Sequence, residues 1–184
     1  MTKQFFYKFF GAIVKFLFPY KVEYKGNIPE GNIVICANHI SYIDFFFVRA
    51  AVGKDPSFMG KKEIYNSKIL GYFAKIINII PVNREGNDVN AIKMSLKVLK
   101  DGGALGIFPE GTRKHKNPDG KVHNGAAMLA FKTNSPIVPI KLSTKNDKVF
   151  IFKKTTITVG EPILVQTKDY EEETKKIMEA IYSL

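Results

Sequence analysis

The sequence predicts an α/β fold: one domain with a mixed, mostly parallel central sheet flanked by helices. Three observations carry this. Short apolar runs at 33–37, 79–82, 104–108 and 137–140 have the length and residue types of buried strands. Helix-period stretches of about 10–15 residues separate most of them, the alternation that builds parallel sheets. With 45% hydrophobic residues in 184, the chain is long and apolar enough for one real core, and no repeat, linker or second domain is visible.

Residues 1–19 are the first element. At roughly 100° per residue, Phe5, Phe6, Phe9, Phe10, Ile13, Phe16 and Leu17 share one broad face. Gln4, Lys8, Gly11 and Lys15 lie opposite, and Pro19 ends the segment. The run is shorter than the about 20 apolar residues that span a bilayer. No small-x-small cleavage site follows, so the segment is expected to be retained. Two readings stand: an amphipathic helix lying in a membrane interface, with lysines at the head groups, or an ordinary helix packed on the core. The number of phenylalanines favours the first.

Residues 20–184 make the α/β domain. A weakly alternating strand at 20–24 is followed by turn residues at 27–32 and a fully buried strand at 33–37. A helix is expected over 42–52, closed at Gly53. A short strand beginning at Ser57 turns into a helix supported by Ile64, Ile69, Leu70, Phe73, Ala74 and Ile77. The strand at 79–84 ends in a cation. Asp88 caps the next helix, whose apolar positions are Val89, Ile92, Met94, Leu96, Val98 and Leu99, and Gly102-Gly103 closes it. After the strand at 104–108, a polar loop runs to about 124, then a helix at 125–132 and a strand at 137–140. Residues 149–151 and 156–159 read as a final strand pair that makes the sheet edge mixed. A charged helix at 170–182 completes the chain.

The stretch Asn38-His39-Ile40-Ser41-Tyr42-Ile43-Asp44 sits between a buried strand and a helix start. In α/β sheets chemistry gathers at the carboxyl ends of strands. A neutral His39 can act as a general base there, with Asp44 orienting the ring. The pair has a plainer explanation as well: Ser41-x-x-Asp44 is a capping box, with Ser41 as N-cap. Lys61, Arg84 and Arg113 follow other strand ends and suit phosphate recognition, though for any one of them taken alone solvated surface charge is the favoured reading. Glu110-Gly111-Thr112 reads alone as a turn. The net charge of +11 favours an anionic partner. The histidines, His39, His115 and His123, lack metal-ligand spacing, no glycine-rich phosphate loop occurs, and no nucleic-acid signature emerges. The single cysteine, Cys36, excludes an internal disulfide and reads as a small buried hydrophobe.

Four blocks in order change the balance: Asn38-His39-x-x-x-x-Asp44; Lys61-x-Glu63 through Ile80-x-x-Asn83-Arg84; Phe108-Pro109-Glu110-Gly111-Thr112-Arg113; and Val138-Pro139-Ile140. Over residues 20–163 the chain resembles the glycerolipid acyltransferase family, its bacterial 1-acyl-glycerol-3-phosphate acyltransferases in particular. Gly160-Glu161-Pro162 resembles the family's late strand ending. The resemblance implies His39 as general base and Asp44 as its partner. The implied reaction moves an acyl group from acyl-CoA or acyl-carrier protein to the sn-2 hydroxyl of lysophosphatidic acid, giving phosphatidic acid. It implies Lys61, Arg84 and Arg113 as candidates for the acceptor's phosphate, with Glu110, Gly111 and Thr112 shaping that site. No metal, cofactor or covalent acyl-enzyme is implied, and a peripheral place on the cytoplasmic face of an anionic membrane is. Two departures stand out. Asn83 occupies the place of the family's usual aspartate, and Lys61-Lys62 leaves open which lysine faces the pocket. The N-terminal segment is short for the family. Sibling reactions on lyso-ornithine lipid or another lysophospholipid, and a catalytically silent membrane-binding homologue, are the competing expectations.

Overall fold

The structure, a computed structural model, describes residues 2–83, 88–113, 120–146 and 148–184. Helix α1 (Lys3–Leu17) precedes strand β1 (Tyr20–Tyr24). Next come β2 (Ile33–Ala37), α2 (Asp44–Val52), β3 (Ser57–Lys61), a 3-10 turn (Lys62–Asn66) and α3 (Lys68–Ile76). Then follow β4 (Ile79–Val82), α4 (Val89–Lys100), β5 (Ala104–Ile107) and α5 (Gly125–Thr133). The chain closes with β6 (Ile137–Ser143), β7 (Thr155–Val159) and α6 (Tyr170–Tyr182).

One seven-stranded sheet has the order β1-β7-β6-β2-β5-β3-β4. β6, β2, β5, β3 and β4 run parallel; β7 pairs antiparallel to β6, and β1 runs parallel to β7. The central strands β2 and β5 are buried throughout, as strands covered on both faces must be. Alternation along β2 sends Ile33, Ile35 and Ala37 to one core and Val34 and Cys36 to the other. The first core meets Phe47, Val48 and Ala51 of α2 and Val14 of α1. The second meets α4, α5 and α6 through Leu99, Leu129 and Ile177. Cys36 is fully buried and that burial pushes its thiol well above the usual range, so it serves as a small hydrophobe.

The α/β class, the largely parallel sheet and the mixed edge agree with expectation. Several details do not. Residues 149–151 form no strand: β6 runs on to Ser143 and pairs directly with β7, leaving 144–146 and 148–154 outside regular structure. The helix expected after β3 is split into a 3-10 turn and α3, and Ile69 and Leu70 face outward rather than into the core. In α4 the fully buried stripe is Ala91, Ser95 and Leu99, while Val89 and Met94 are exposed. Small residues at i and i+4 let that helix approach the sheet closely, and a count of large apolar positions does not see them.

Helix α1 divides its apolar arc. Phe6, Tyr7 and Val14 are buried, and Phe6 packs on Phe46 of α2 and Phe73 of α3. Burial pushes the Tyr7 hydroxyl up to about 12, partly offset by the Arg49 guanidinium lying over its ring. Phe5, Phe9, Ile13 and Phe16 remain exposed. An arc of about 200° is wider than the stripe needed to dock one helix on a core. One side of the helix therefore docks on the core, and the other is uncovered.

Candidate active site

The parallel strands place their carboxyl ends on one rim. His39 follows β2, Lys61 ends β3, Asn83 follows β4, and the Phe108–Arg113 block follows β5. The expected convergence of these segments on one edge is thus a consequence of strand direction.

Asn38 sets the position of His39. It is almost fully buried; its side-chain nitrogen donates to the Leu142 carbonyl at 2.9 Å, and its side-chain oxygen accepts from the Leu142 N–H at 2.7 Å. The amide continues the β2–β6 ladder beyond the Ala37–Ile140 pair with a side chain in place of backbone. The main chain after it is thereby released to turn toward α2.

Asp44 opens α2 with no accessible side-chain surface. Its Oδ2 accepts from His39 Nδ1 at 2.7 Å and from the Ile40 and Ser41 backbone N–H groups at 2.8 Å each. A carboxylate at a helix N-terminus also lies at the positive end of the helix dipole. Because a carboxylate only accepts, Nδ1 carries the hydrogen. Nε2, the ring's other nitrogen, makes no hydrogen bond among the described residues, and the side chain keeps 21% exposure. The ring stacks on Phe108 at 4.3 Å between centroids, and Phe108 in turn stacks on Phe58 at 6.2 Å. His39 is thus held on its edge by Asp44 and on its face by the strand-β5 block.

The capping-box expectation is half met. Asp44 does reach back to the Ser41 N–H, but the N-cap is Ile43, and the Ser41 hydroxyl accepts only a long 3.4 Å bond from the Ile43 N–H. The carboxylate that starts the helix is the same one that orients the imidazole, so the plain reading and the chemical one describe one arrangement. Gly53, in the left-handed conformation, closes α2 where expected.

Arg113 ties the third block to the first. Its guanidinium lies 3.8 Å above the Tyr42 ring centroid and donates from Nη2 to the Tyr42 hydroxyl at 2.8 Å. Thr112 is half-buried beside it. The Glu110 carboxylate is buried, and Oε1 accepts from the Tyr182 hydroxyl of α6 at 2.6 Å. It ties the C-terminal helix to the strand-β5 loop. Lys61 stands on the same rim with 55% of its side chain exposed, 3.6 Å from Glu63. Lys62 is also exposed, and its charge helps hold the Asp88 carboxyl below the usual range, after the larger contributions of the Asn83 and Ala91 N–H groups. Arg84 lies outside the described residues. Asn83 is placed by its backbone, which donates to Asp88 Oδ2 at 2.7 Å.

Gly111 takes a φ of +65°, and a Cβ there would come within 2.7 Å of His123 Cδ2 and 2.8 Å of His123 Nε2. Both conformation and space call for glycine. Gly111→Ala is expected to strain the backbone by about 1 kcal/mol before the clash is counted. A thermal midpoint lowered by several degrees, with a rate loss of at least about tenfold, is the expected result. An alanine variant with parental melting and rate would show that the loop adapts freely.

Asn38, Tyr42, Phe108, His123 and Tyr182 all position this site but were not singled out for it from sequence. Only the order of the motif blocks hinted at Asn38 and Phe108. Nothing local marks Tyr182, which is 72 residues from its partner Glu110.

The arrangement belongs to a known group. The acyltransferase family model matches residues 20–143, well over half the chain. The chain is 34% identical over 149 residues to a Bacillus subtilis protein named 1-acyl-sn-glycerol-3-phosphate acyltransferase, covering 78% of this chain and 73% of that one. A Streptococcus pneumoniae protein of the same name is 32% identical over 113 residues, which is 60% of this chain and 41% of that one. Among solved structures, the 1-acyl-sn-glycerophosphate acyltransferase of Thermotoga maritima superposes with a TM-score of 0.71 at 25% identity, covering 98% of this chain and 76% of the other. Sequence match, shared fold and the placement of the motif blocks on one rim agree: this chain belongs to the acyltransferase family.

Proposed function

We propose that the chain transfers an acyl group from a thioester, acyl-CoA or acyl-carrier protein, to the sn-2 hydroxyl of 1-acyl-glycerol-3-phosphate, forming phosphatidic acid. The observation that supports this most is the His39–Asp44 pair, with Nδ1 engaged by the carboxylate and Nε2 left as the ring's proton acceptor. Nε2 takes the proton of the acceptor hydroxyl as its oxygen attacks the thioester carbonyl. The tetrahedral intermediate collapses with loss of the carbon–sulfur bond, and the imidazolium returns its proton to the leaving thiolate. Asp44 stabilises the imidazolium between these steps. The scheme uses no metal, no cofactor and no acyl-enzyme. Bacterial relatives named for this activity support the choice of acceptor.

In this reading Arg113 and Lys61, with Arg84, take the acceptor's phosphate, and the exposed row of α1 rests on the cytoplasmic face of an anionic membrane. No helix among the described residues is long and apolar enough to cross a membrane. Thiol release measured over a panel of lyso-acceptors with both donors tests the reaction. Turnover only with an acceptor lacking phosphate would replace the substrate assignment. Arg113→Ala is expected to raise KM for lysophosphatidic acid about tenfold or more, with little effect on KM for the thioester, since a guanidinium–phosphate contact is charge-assisted. Equal effects on both substrates would remove Arg113 from the acceptor site.

A further inference from the structure

We propose that the loop 144–154 between β6 and β7 is a second membrane-docking element, one that seats itself in an anionic lipid surface beside the catalytic rim. The proposal extends the membrane reading of α1 and is testable apart from it. The segment was expected to carry a strand, and its apolar residues instead face solvent: Phe150, Ile151 and Phe152 are 50%, 55% and 63% exposed. Lysines stand on both sides of this triplet. Together Lys145, Lys148, Lys153 and Lys154 line an open cleft of about 720 Å³ whose apolar wall is Phe150 and Ile151. Asp147, the loop's acidic residue, lies outside the described residues.

Three observations favour a lipid surface as the occupant. The first is charge and chemistry together: a cationic ring around an apolar triplet matches phosphate head groups above acyl chains. The second is continuity with α1. The Phe152 ring meets Phe16 edge-to-face at 5.9 Å, and the Phe152 N–H donates to the Leu17 carbonyl at 2.6 Å. The exposed row Phe5, Phe9, Ile13, Phe16 therefore runs on into the loop. The third is strain. Phe152 holds a φ of +59°, a conformation bulky side chains rarely adopt. The fold keeps a phenylalanine there with its ring outward, where asparagine or glycine would sit more easily.

Topology then places the loop. It leaves β6 at Ser143 and enters β7 at Thr155, beside the start of β1. Because β7 and β1 run against the other strands, their beginnings share the edge where β2 and β5 end. The loop thus stands on the side from which a lipid acceptor would approach His39.

The chain has no tryptophan, so Ile151→Trp gives a single fluorescent reporter. With vesicles of phosphatidylcholine and phosphatidylglycerol, its emission is expected to shift to the blue and to be quenched by lipids brominated on their acyl chains. No shift and no quenching would overturn the proposal. In vesicle flotation, Phe150→Ser/Ile151→Ser/Phe152→Asn is expected to bind at least tenfold more weakly, with its circular dichroism and melting preserved. The single variant Phe152→Asn, which relieves the positive φ, guards against an effect of misfolding. Each lysine replaced by glutamine is expected to cost about fivefold in affinity for the anionic vesicles, and less at high salt. If Phe9→Ser/Phe16→Ser loses binding while the loop variant keeps it, the loop is overturned and the α1 reading stands. If neither loses binding, both are overturned. If the loop variant floats like the parent but loses turnover with an acyl-carrier-protein donor alone, the cleft serves an acidic protein, and the membrane proposal is overturned.

Discussion

His39→Ala is expected to lower the rate of thiol release by about 10²–10⁴-fold, the range for removing a positioned general base. The loss is expected to fall on kcat, with KM for either substrate nearly unchanged, because in the proposed scheme the imidazole acts on the reacting hydroxyl and not on the phosphate or carrier. The fold survives. Asp44 Oδ2 keeps two of its three donors, the Ile40 and Ser41 N–H groups, so its burial remains partly compensated. Losing one charge-assisted bond costs about 1.5–3 kcal/mol, against a total stability of about 5–15 kcal/mol for a domain. Asp44→Asn is expected to cost as much or nearly so in rate. An amide oxygen in the place of Oδ2 can accept all three bonds, but it carries no charge to stabilise the imidazolium. Because the two residues act as one unit, the double variant should be scarcely slower than His39→Ala alone. Additive losses would mean that Asp44 acts independently of the ring. Retained acyl transfer in His39→Ala would end the base assignment.

How much of this was readable in the sequence follows from which interactions are local. The pair His39 and Asp44 is five residues apart, and a strand followed by a helix start fixes its geometry. That much follows from spacing, which is why the capping reading and the catalytic one looked alike: the same carboxylate serves both. The strands β2 and β5 were legible because burial on both faces makes them uniformly apolar. The site's frame was less legible because it is built across the chain. Asn38 finds Leu142 at a separation of 104 residues, Arg113 finds Tyr42 at 71, and Tyr182 finds Glu110 at 72. No periodicity encodes such pairings. Errors in orientation have a different cause. Apolar residues on α3 and at 149–151 were assigned to packing by their hydrophobicity, and the structure leaves Ile69, Phe150 and Ile151 in the open. A hydrophobic pattern says that a face wants cover but not what covers it.

Asn38→Ala is the substitution expected to damage stability most, and through it the chemistry. The residue is 1% exposed; it donates to the Leu142 carbonyl and accepts from the Leu142 N–H. Alanine removes both bonds and leaves a buried N–H and a buried C=O at the end of β6 without partners. Each unsatisfied group costs about 1–3 kcal/mol, so a loss of about 2–6 kcal/mol is expected, a large share of the stability of a domain. Denaturant unfolding should show the midpoint falling with the slope unchanged, because the exposed area on unfolding is the same. Asn38→Asp separates the two halves of the contact. Its carboxylate still accepts from the Leu142 N–H but confronts the Leu142 carbonyl, so it should be destabilising too and increasingly so as the aspartate ionises. Asn38 is also the residue before His39, and its anchor fixes where the imidazole begins. In a folded fraction of Asn38→Ala, a shift of about 1 Å in the ring is enough for a rate loss near 10²-fold. That loss should appear in kcat at temperatures well below the midpoint. If the variant melts like the parent, the side-chain bridge does not hold β6 to β2. If it is destabilised yet turns over at full rate per folded molecule, the bridge holds the sheet without positioning His39.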